Sequence, residues 1–179
     1  IDNLQTIWQK VSQLHSGQTY GGQHKDEKIE YINHIGSVVF EILNAGMYTK
    51  EFNGELAVSC ALLHDSIEDT ALTVVELQQL YGEQVTAGVL ALTKDKNKPK
   101  DEQMHDSLTR IKAQPKEVWA VKLADRICNL YAPPYYWDNQ KKLGYIEEAK
   151  TIHFHLKDGN EYLANRLMQK IGDYKKYLA

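Results

Sequence analysis

Cysteine is scarce: Cys60 and Cys128 are the only two in 179 residues. They lie in apolar helical patterns without CxxC spacing, so they read as buried thiols in a reducing compartment, and no disulfide framework is implied. No stretch of about 18 apolar residues occurs, as a membrane span would require, and Ile1 to Val11 is amphipathic rather than uniformly apolar. The expectation is a soluble, cytoplasmic protein with no membrane partner. The charge is a modest -3, from 21 Lys and Arg against 24 Asp and Glu. No basic run is present to grip a nucleic-acid backbone, so nucleic acid is not expected as a partner. Alternating strand patterns, repeats, low-complexity segments and linkers are missing too, which leaves one all-α domain over 1–179.

What is present is helical period. Leu4, Ile7, Trp8, Val11 and Leu14 predict a first helix that ends before Ser16-Gly17. Gly17 to Lys28 carries no period and reads as a flexible polar loop able to face a ligand. From Tyr31 the period returns through Ile35, Val38, Ile42 and Leu43, with Gly46 as the expected stop. A third helix starts near Asn53 and runs through Leu63 into Leu62-Leu63-His64-Asp65-Ser66-Ile67-Glu68-Asp69-Thr70. Thr73-Val74-Val75-Glu76 fits a capping box, Gly82 closes that helix, and Val85, Val89 and Leu92 mark another. A lysine-rich loop, Thr93 to Glu102, precedes a helix through Met104, Leu108 and Ile111. Lys116 to Tyr131 is helical up to Pro133-Pro134, and two more helices, about Asn139 to Lys157 and Asn160 to Leu178, complete the bundle.

Some polar residues do not fit an ordinary solvent face. If the third helix continues, His64, Asp65, Glu68 and Asp69 span an arc of roughly 140°, with His64/Glu68 and Asp65/Asp69 as i,i+4 neighbours. Acids crowded at a helix C-terminus are unfavourable and call for a cation. His34 lies near the start of the second helix and Asp125 among apolar positions of a later one. Two imidazoles and two carboxylates suit Mn²⁺, Fe²⁺ or Zn²⁺ better than Ca²⁺, and the lack of thiolate argues against a closed structural zinc site. Such an ion keeps positions for water and substrate and lowers the pKa of that water. Glu68 would then orient or deprotonate the water, with Asp69 beside it. A lone His-Asp pair is more commonly a capped or salt-bridged surface, so the weight rests on the whole set.

The longer patterns Tyr31-Ile32-Asn33-His34, Ala61-Leu62-Leu63-His64-Asp65-Ser66-Ile67-Glu68-Asp69-Thr70 and Val121-Lys122-Leu123-Ala124-Asp125-Arg126-Ile127-Cys128-Asn129-Leu130 occur in this order, with Tyr81-Gly82 and Leu92-Thr93-Lys94 between the last two. They resemble the HD phosphohydrolase superfamily and, within it, the guanosine polyphosphate (ppGpp and pppGpp) hydrolase domain of RelA/SpoT-type enzymes and their small stand-alone relatives. The resemblance covers about residues 23 to 131 and fades by about 160.

It implies an HD-domain helical bundle that removes the 3′-pyrophosphate of these alarmones. His34, His64, Asp65 and Asp125 would bind one Mn²⁺, and Glu68-Asp69 would activate water. Asn129 and Tyr145 match positions near the nucleotide. Lys25, with His24 beside it, falls where the family places a basic residue against guanine. Ile35 and Glu30 stand where relatives often carry proline, and the loop before Tyr31 is about one residue shorter.

A polyphosphate needs cations, and Lys98 or Lys100 in the lysine loop could supply one. His15, His105, His153 and His155 have no partner at ligand spacing and read as surface or core residues. Trp8, Trp119 and Trp137 read first as packing anchors. Competing functions are a phosphatase of another nucleotide, such as the 2′-phosphate of NADPH or a nucleoside monophosphate, and a non-catalytic nucleotide-binding or partner module. A homodimer stays open as a further option.

Overall fold

The computed structural model describes residues 1–178. In chain order the elements are α1 (Asp2–Leu14), a hairpin of β1 (Thr19–Gly21) and β2 (Lys28–Glu30), α2 (Ile32–Tyr48), α3 (Gly54–Leu63), α4 (Ser66–Asp69), α5 (Val74–Leu92), α6 (Gln103–Lys112), α7 (Lys116–Asn129), α8 (Asn139–Leu156) and α9 (Glu161–Tyr174), then a 3₁₀ turn, Lys175–Tyr177. Among the described residues no helix is long and apolar enough to cross a membrane.

Two helices form the axis of the bundle. Every residue of α3 from Leu56 to Leu63 is buried, as is α7 from Ala120 to Cys128. A helix covered on all sides has no solvent face to assign, which is why its few polar residues stand out. α3 lies among α1, α2, α5 and α7, and α7 in turn packs on α2, α3, α8 and α9. Cys60 and Cys128 are free, buried thiols in this core.

Helix ends follow side-chain capping. The Asn53 side chain accepts from Leu56 N–H at 3.1 Å, and Asn160 does the same for Leu163 at 3.0 Å. Thr73 and Glu76 form the expected capping box. Gly82, with φ 80°, breaks α5 where the sequence places a stop, and the chain resumes a helix within the same element.

Three local expectations change. The third helix does not run through the acidic stretch: it ends at Leu63, and Asp65 (φ -104°, ψ -2°) turns the chain into the four-residue α4. His64 Nδ1 lies 2.8 Å from the Ala61 carbonyl, the acceptor that a continuing helix would give to the N–H of Asp65. Glu68 and Asp69 therefore sit on a separate turn and not at the C-terminus of a long helix. The polar loop holds a short antiparallel hairpin that pairs Thr19 with Glu30 and Gly21 with Lys28; three residues per strand are too few to show a period of two. α2 continues past Gly46 to Tyr48; a glycine inside a helix weakens it without ending it.

Candidate metal centre and adjoining cavities

His34 comes from the first turn of α2, His64 from the end of α3, Asp65 from the turn that follows, and Asp125 from α7. These side chains converge. His34 Nε2 lies 3.4 Å from Asp125 Oδ1 and 3.8 Å from Asp65 Oδ2. His64 Nε2 lies 3.0 Å from Asp65 Oδ2 and 3.9 Å from Asp125 Oδ1. Donor atoms of His34, His64 and Asp125 all fall within 4.8 Å of one another. Since the Ala61 carbonyl can only accept, Nδ1 of His64 carries a proton, and Nε2 is the ring atom that faces the cluster. That Nε2 is buried, with Asp65 Oδ2 as its nearest polar neighbour. Two imidazoles and two carboxylates that converge on one buried point fit a divalent metal ion.

The carboxylates are braced from behind. Lys122 Nζ donates to Asp125 Oδ2 at 2.9 Å and Asn129 Nδ2 to Oδ1 at 2.7 Å. Tyr31 Oη donates to Asp65 Oδ2 at 2.5 Å. Electrostatics tie these groups together. Burial alone would lower the affinity of His64 for a proton, but the charges of Asp65 and Asp125 outweigh it and push the ring up to about 9. Burial would likewise raise Asp65 and Asp125, yet His64 pulls the first below the usual carboxylate range, and Lys122 with the two imidazoles pulls the second well below it. Tyr31 is driven far above an ordinary phenol by burial and by Asp65. Asp69 is raised by partial burial and by its neighbours Asp65 and Glu68.

Two cavities meet here. The cluster opens into a polar one of about 360 Å³ that also receives Glu68, Asp69, Lys94, Lys100, Lys122 and Arg126. Glu68 Oε2 accepts from the backbone N–H of Lys94 at 3.3 Å, and Lys96 Nζ donates to the Glu68 carbonyl at 3.1 Å. The second cavity, about 210 Å³, is walled by Tyr20, Tyr131, Tyr136 and Trp137 with Pro133 and Pro134. Tyr31, His34, Asn129 and Tyr145 line both. Gly21 lies close beside this wall: a Cβ there would sit 2.8 Å from the Tyr136 ring, which would have to move.

The residues singled out from the sequence thus fall into two groups. His34, His64, Asp65, Asp125, Glu68, Asp69, Asn129 and Tyr145 gather around the polar cavity. His24 and Lys25 are exposed in the hairpin turn and line neither cavity. Lys98 also lies outside both linings, 3.5 Å from Asp106, while Lys94 and Lys100 line the polar cavity.

Several residues at the site escaped the sequence reading. Tyr31 precedes His34 by one helical turn, and Lys122 precedes Asp125 by the same interval, so helical spacing was the available signal. His15 offered none. It is buried, not at the surface, with Nδ1 2.7 Å from Gln18 Oε1 and its ring stacked on Tyr31 at 5.3 Å. Gln18 in turn donates to the Asp69 carbonyl at 2.8 Å. The turn after α1 therefore braces the acidic stretch through Gln18 and backs Tyr31, the partner of Asp65, through His15.

An all-α bundle that gathers this His, His-Asp and Asp set from three separate segments is an HD-type hydrolase fold. No family model matches the chain. Over 152 residues it is 32% identical to the guanosine-3′,5′-bis(diphosphate) 3′-pyrophosphohydrolase MESH1 of Danio rerio, covering 82% of each chain. The protein of the same name from Homo sapiens is 31% identical over 146 residues, 79% of each chain. A solved structure described as a metazoan ortholog of SpoT that hydrolyzes ppGpp superposes with a TM-score of 0.81, covering 100% of this chain and 98% of its own at 23% identity, and shows the same fold. The chain belongs to the family of the MESH1 pyrophosphohydrolases, the RelA/SpoT-type HD hydrolases.

Proposed function

We propose that this protein hydrolyses guanosine tetra- and pentaphosphate alarmones, releasing pyrophosphate from the 3′ position and leaving the guanosine 5′-phosphate product. The single observation that carries the reading is the shared wall. A charged cavity holding a metal-type donor set adjoins an aromatic cavity across Tyr31, His34, Asn129 and Tyr145. That geometry suits a substrate with a flat base at one end and a polyanion at the other. Family membership points the same way.

In this reading His34, His64, Asp65 and Asp125 hold one Mn²⁺, which suits mixed nitrogen and oxygen ligation. Bound there, the ion supplies Lewis acidity and lowers the pKa of water at the site. The remaining roles belong to the chain. Lys122 and Asn129 fix the orientation of the Asp125 carboxylate, and Tyr31 that of Asp65. Lys94 and Lys100 neutralise the 3′-diphosphate, while the aromatic wall packs on the nucleoside and excludes water. Glu68 takes a proton from the attacking water, whose oxygen bonds to phosphorus as the bond to the 3′-oxygen breaks. The proton then returns to the departing oxygen. Asp69, held by Gln18, helps to orient the water. The nucleotide contacts are assigned to Asn129 and Tyr145 ahead of His24, Lys25 and Lys98, which stand outside the linings. The protein works as a single domain in the cytoplasm; a homodimer, nucleic acid and membrane are not needed by this chemistry.

Purified protein with Mn²⁺ would be incubated in parallel with ppGpp, NADPH and nucleoside monophosphates, and the phosphate products identified. Pyrophosphate from ppGpp is the expected result. Orthophosphate from NADPH alone would overturn the assignment.

A further inference from the structure

An ion pair between α2 and α9, with a buried acid and a partly exposed arginine, reaches the aromatic cavity. Glu41 lies on α2, two turns after His34, and its side chain is 6% exposed. Arg166 of α9 grips it with both arms of its fork: Nε donates to Oε2 at 2.5 Å and Nη2 to Oε1 at 2.6 Å. The hydroxyl of Tyr131, which lines the aromatic cavity, donates to the same Oε1 at 3.3 Å. One turn along α9, Lys170 Nζ lies 4.2 Å from the centre of the Tyr131 ring. Tyr131 is thus held at its hydroxyl by α2 and on its face by α9.

Stability does not demand such an arrangement, because a buried ion pair is often replaceable by apolar groups of similar volume with little loss. A bidentate pair does fix distance and orientation. What it fixes here is the start of the segment after α7, where Tyr131, Ala132, Pro133 and Pro134 form one side of the cavity. The same helix α2 carries His34, about 10 Å away along its axis at 1.5 Å per residue. Glu41 therefore sets the aromatic wall against the metal cluster through one rigid element.

We infer that Arg166 and Lys170 of the last helix are positioning residues for nucleoside recognition, acting through Glu41 and Tyr131 on the wall of the aromatic cavity. The inference rests on the cavity holding a nucleoside, as in the proposed function. It makes α9 part of the substrate-binding unit, although its residues touch neither cavity. The pair governs how well the nucleoside is held, while the metal donors and Glu68 are untouched by it.

The test uses the full chain with Tyr131→Phe, the double variant Glu41→Met with Arg166→Leu, which keeps the site filled, and the triple variant. Arg166→Lys, which retains charge without the fork, is the conservative control. In the double variant KM for ppGpp should rise about tenfold with kcat changed less than about twofold, and metal content should equal that of the parent. Arg166→Lys should fall between the two. Tyr131→Phe should raise KM in the parent yet add nothing in the double variant, because its hydroxyl acts through Glu41. An unchanged KM in the double variant, or an undiminished effect of Tyr131→Phe in that background, would overturn the inference. Trp137 lines the cavity, so quenching of tryptophan fluorescence by guanosine 5′-monophosphate reads the same wall without turnover. If the parent fails to hydrolyse ppGpp, the proposed function falls, and the nucleotide titration across these variants still decides the role of Arg166. The dissociation constant should rise about tenfold in the double variant; equal constants would contradict that role.

Discussion

On one side of Tyr31, His34, Asn129 and Tyr145 lies a space of about 360 Å³ bounded by carboxylates, imidazoles and lysines; on the other, about 210 Å³ bounded by tyrosines, a tryptophan and prolines. The charged half is held by mutual electrostatic dependence: His64 and Asp65 shift each other in opposite directions, and Lys122 holds Asp125 ionised. Removing one member leaves an uncompensated charge. The aromatic half is held by ring packing, such as Trp137 on Tyr145 at 4.5 Å, and by remote anchors such as Arg166. Losing one contact there loosens a wall and leaves the others in place. Damage to the first half should therefore abolish chemistry, and damage to the second should weaken binding.

The largest effect tests the charged half. His64→Ala should lower kcat by roughly a thousandfold or more, since several kcal/mol of charge stabilisation leave with the ion. Metal analysis should show the loss, while binding of guanosine 5′-monophosphate read through Trp137 stays close to the parent. Loss of both together would erase the contrast between the halves. Glu68→Gln should cost about a hundredfold to ten-thousandfold in kcat, the range for a general base, with metal content retained. A metal-free Glu68→Gln protein would move Glu68 into the ligand set.

The charged half is largely legible in the sequence, for a definite reason. His34, His64, Asp65 and Asp125 interrupt apolar periods, and a polar residue at a buried helical position has few explanations. The helices themselves followed from the same period, with capping at Asn53, Thr73 and Asn160. The turn at Asp65 was not legible, because it depends on a ring nitrogen reaching the Ala61 carbonyl. Nor was the Glu41–Arg166 pair, whose partners are 125 residues apart and share no local pattern. His15 looked idle because Tyr31, on which its ring stacks, is brought to it only by the hairpin, although its other partner, Gln18, is local. Lys98 could be told from Lys100 only when the loop had a shape, which turns Lys98 toward Asp106.

Smaller effects sharpen the boundary. Tyr31→Phe removes the hydroxyl bonded to Asp65 and keeps the ring that lines both cavities, so metal affinity should fall about ten- to a hundredfold while nucleotide binding holds. Calorimetric metal titration beside the fluorescence assay measures both. Protonation offers a subtler probe. In the metal-free protein His64 is pushed up to about 9 from its ordinary 6.5. Its protonated form therefore stabilises the metal-free fold fully below about pH 6.5, and that contribution is lost as pH rises through about 9. Metal must displace this proton, so metal affinity should increase with pH and level off near 9. An affinity independent of pH between 6.5 and 9 would remove His64 from the site. The smallest change lies outside both cavities. Thr73→Ala breaks the capping box of α5 and should cost about 1 kcal/mol in denaturant unfolding, with kcat and KM unaltered.

The most direct measurement of the central claim is hydrolysis of ppGpp in ¹⁸O-labelled water with Mn²⁺, followed by mass spectrometry of both products. Water delivered from Glu68 to phosphorus should place one ¹⁸O in pyrophosphate and none in the guanosine 5′-diphosphate. Label in the nucleotide, or orthophosphate as the released product, would contradict it.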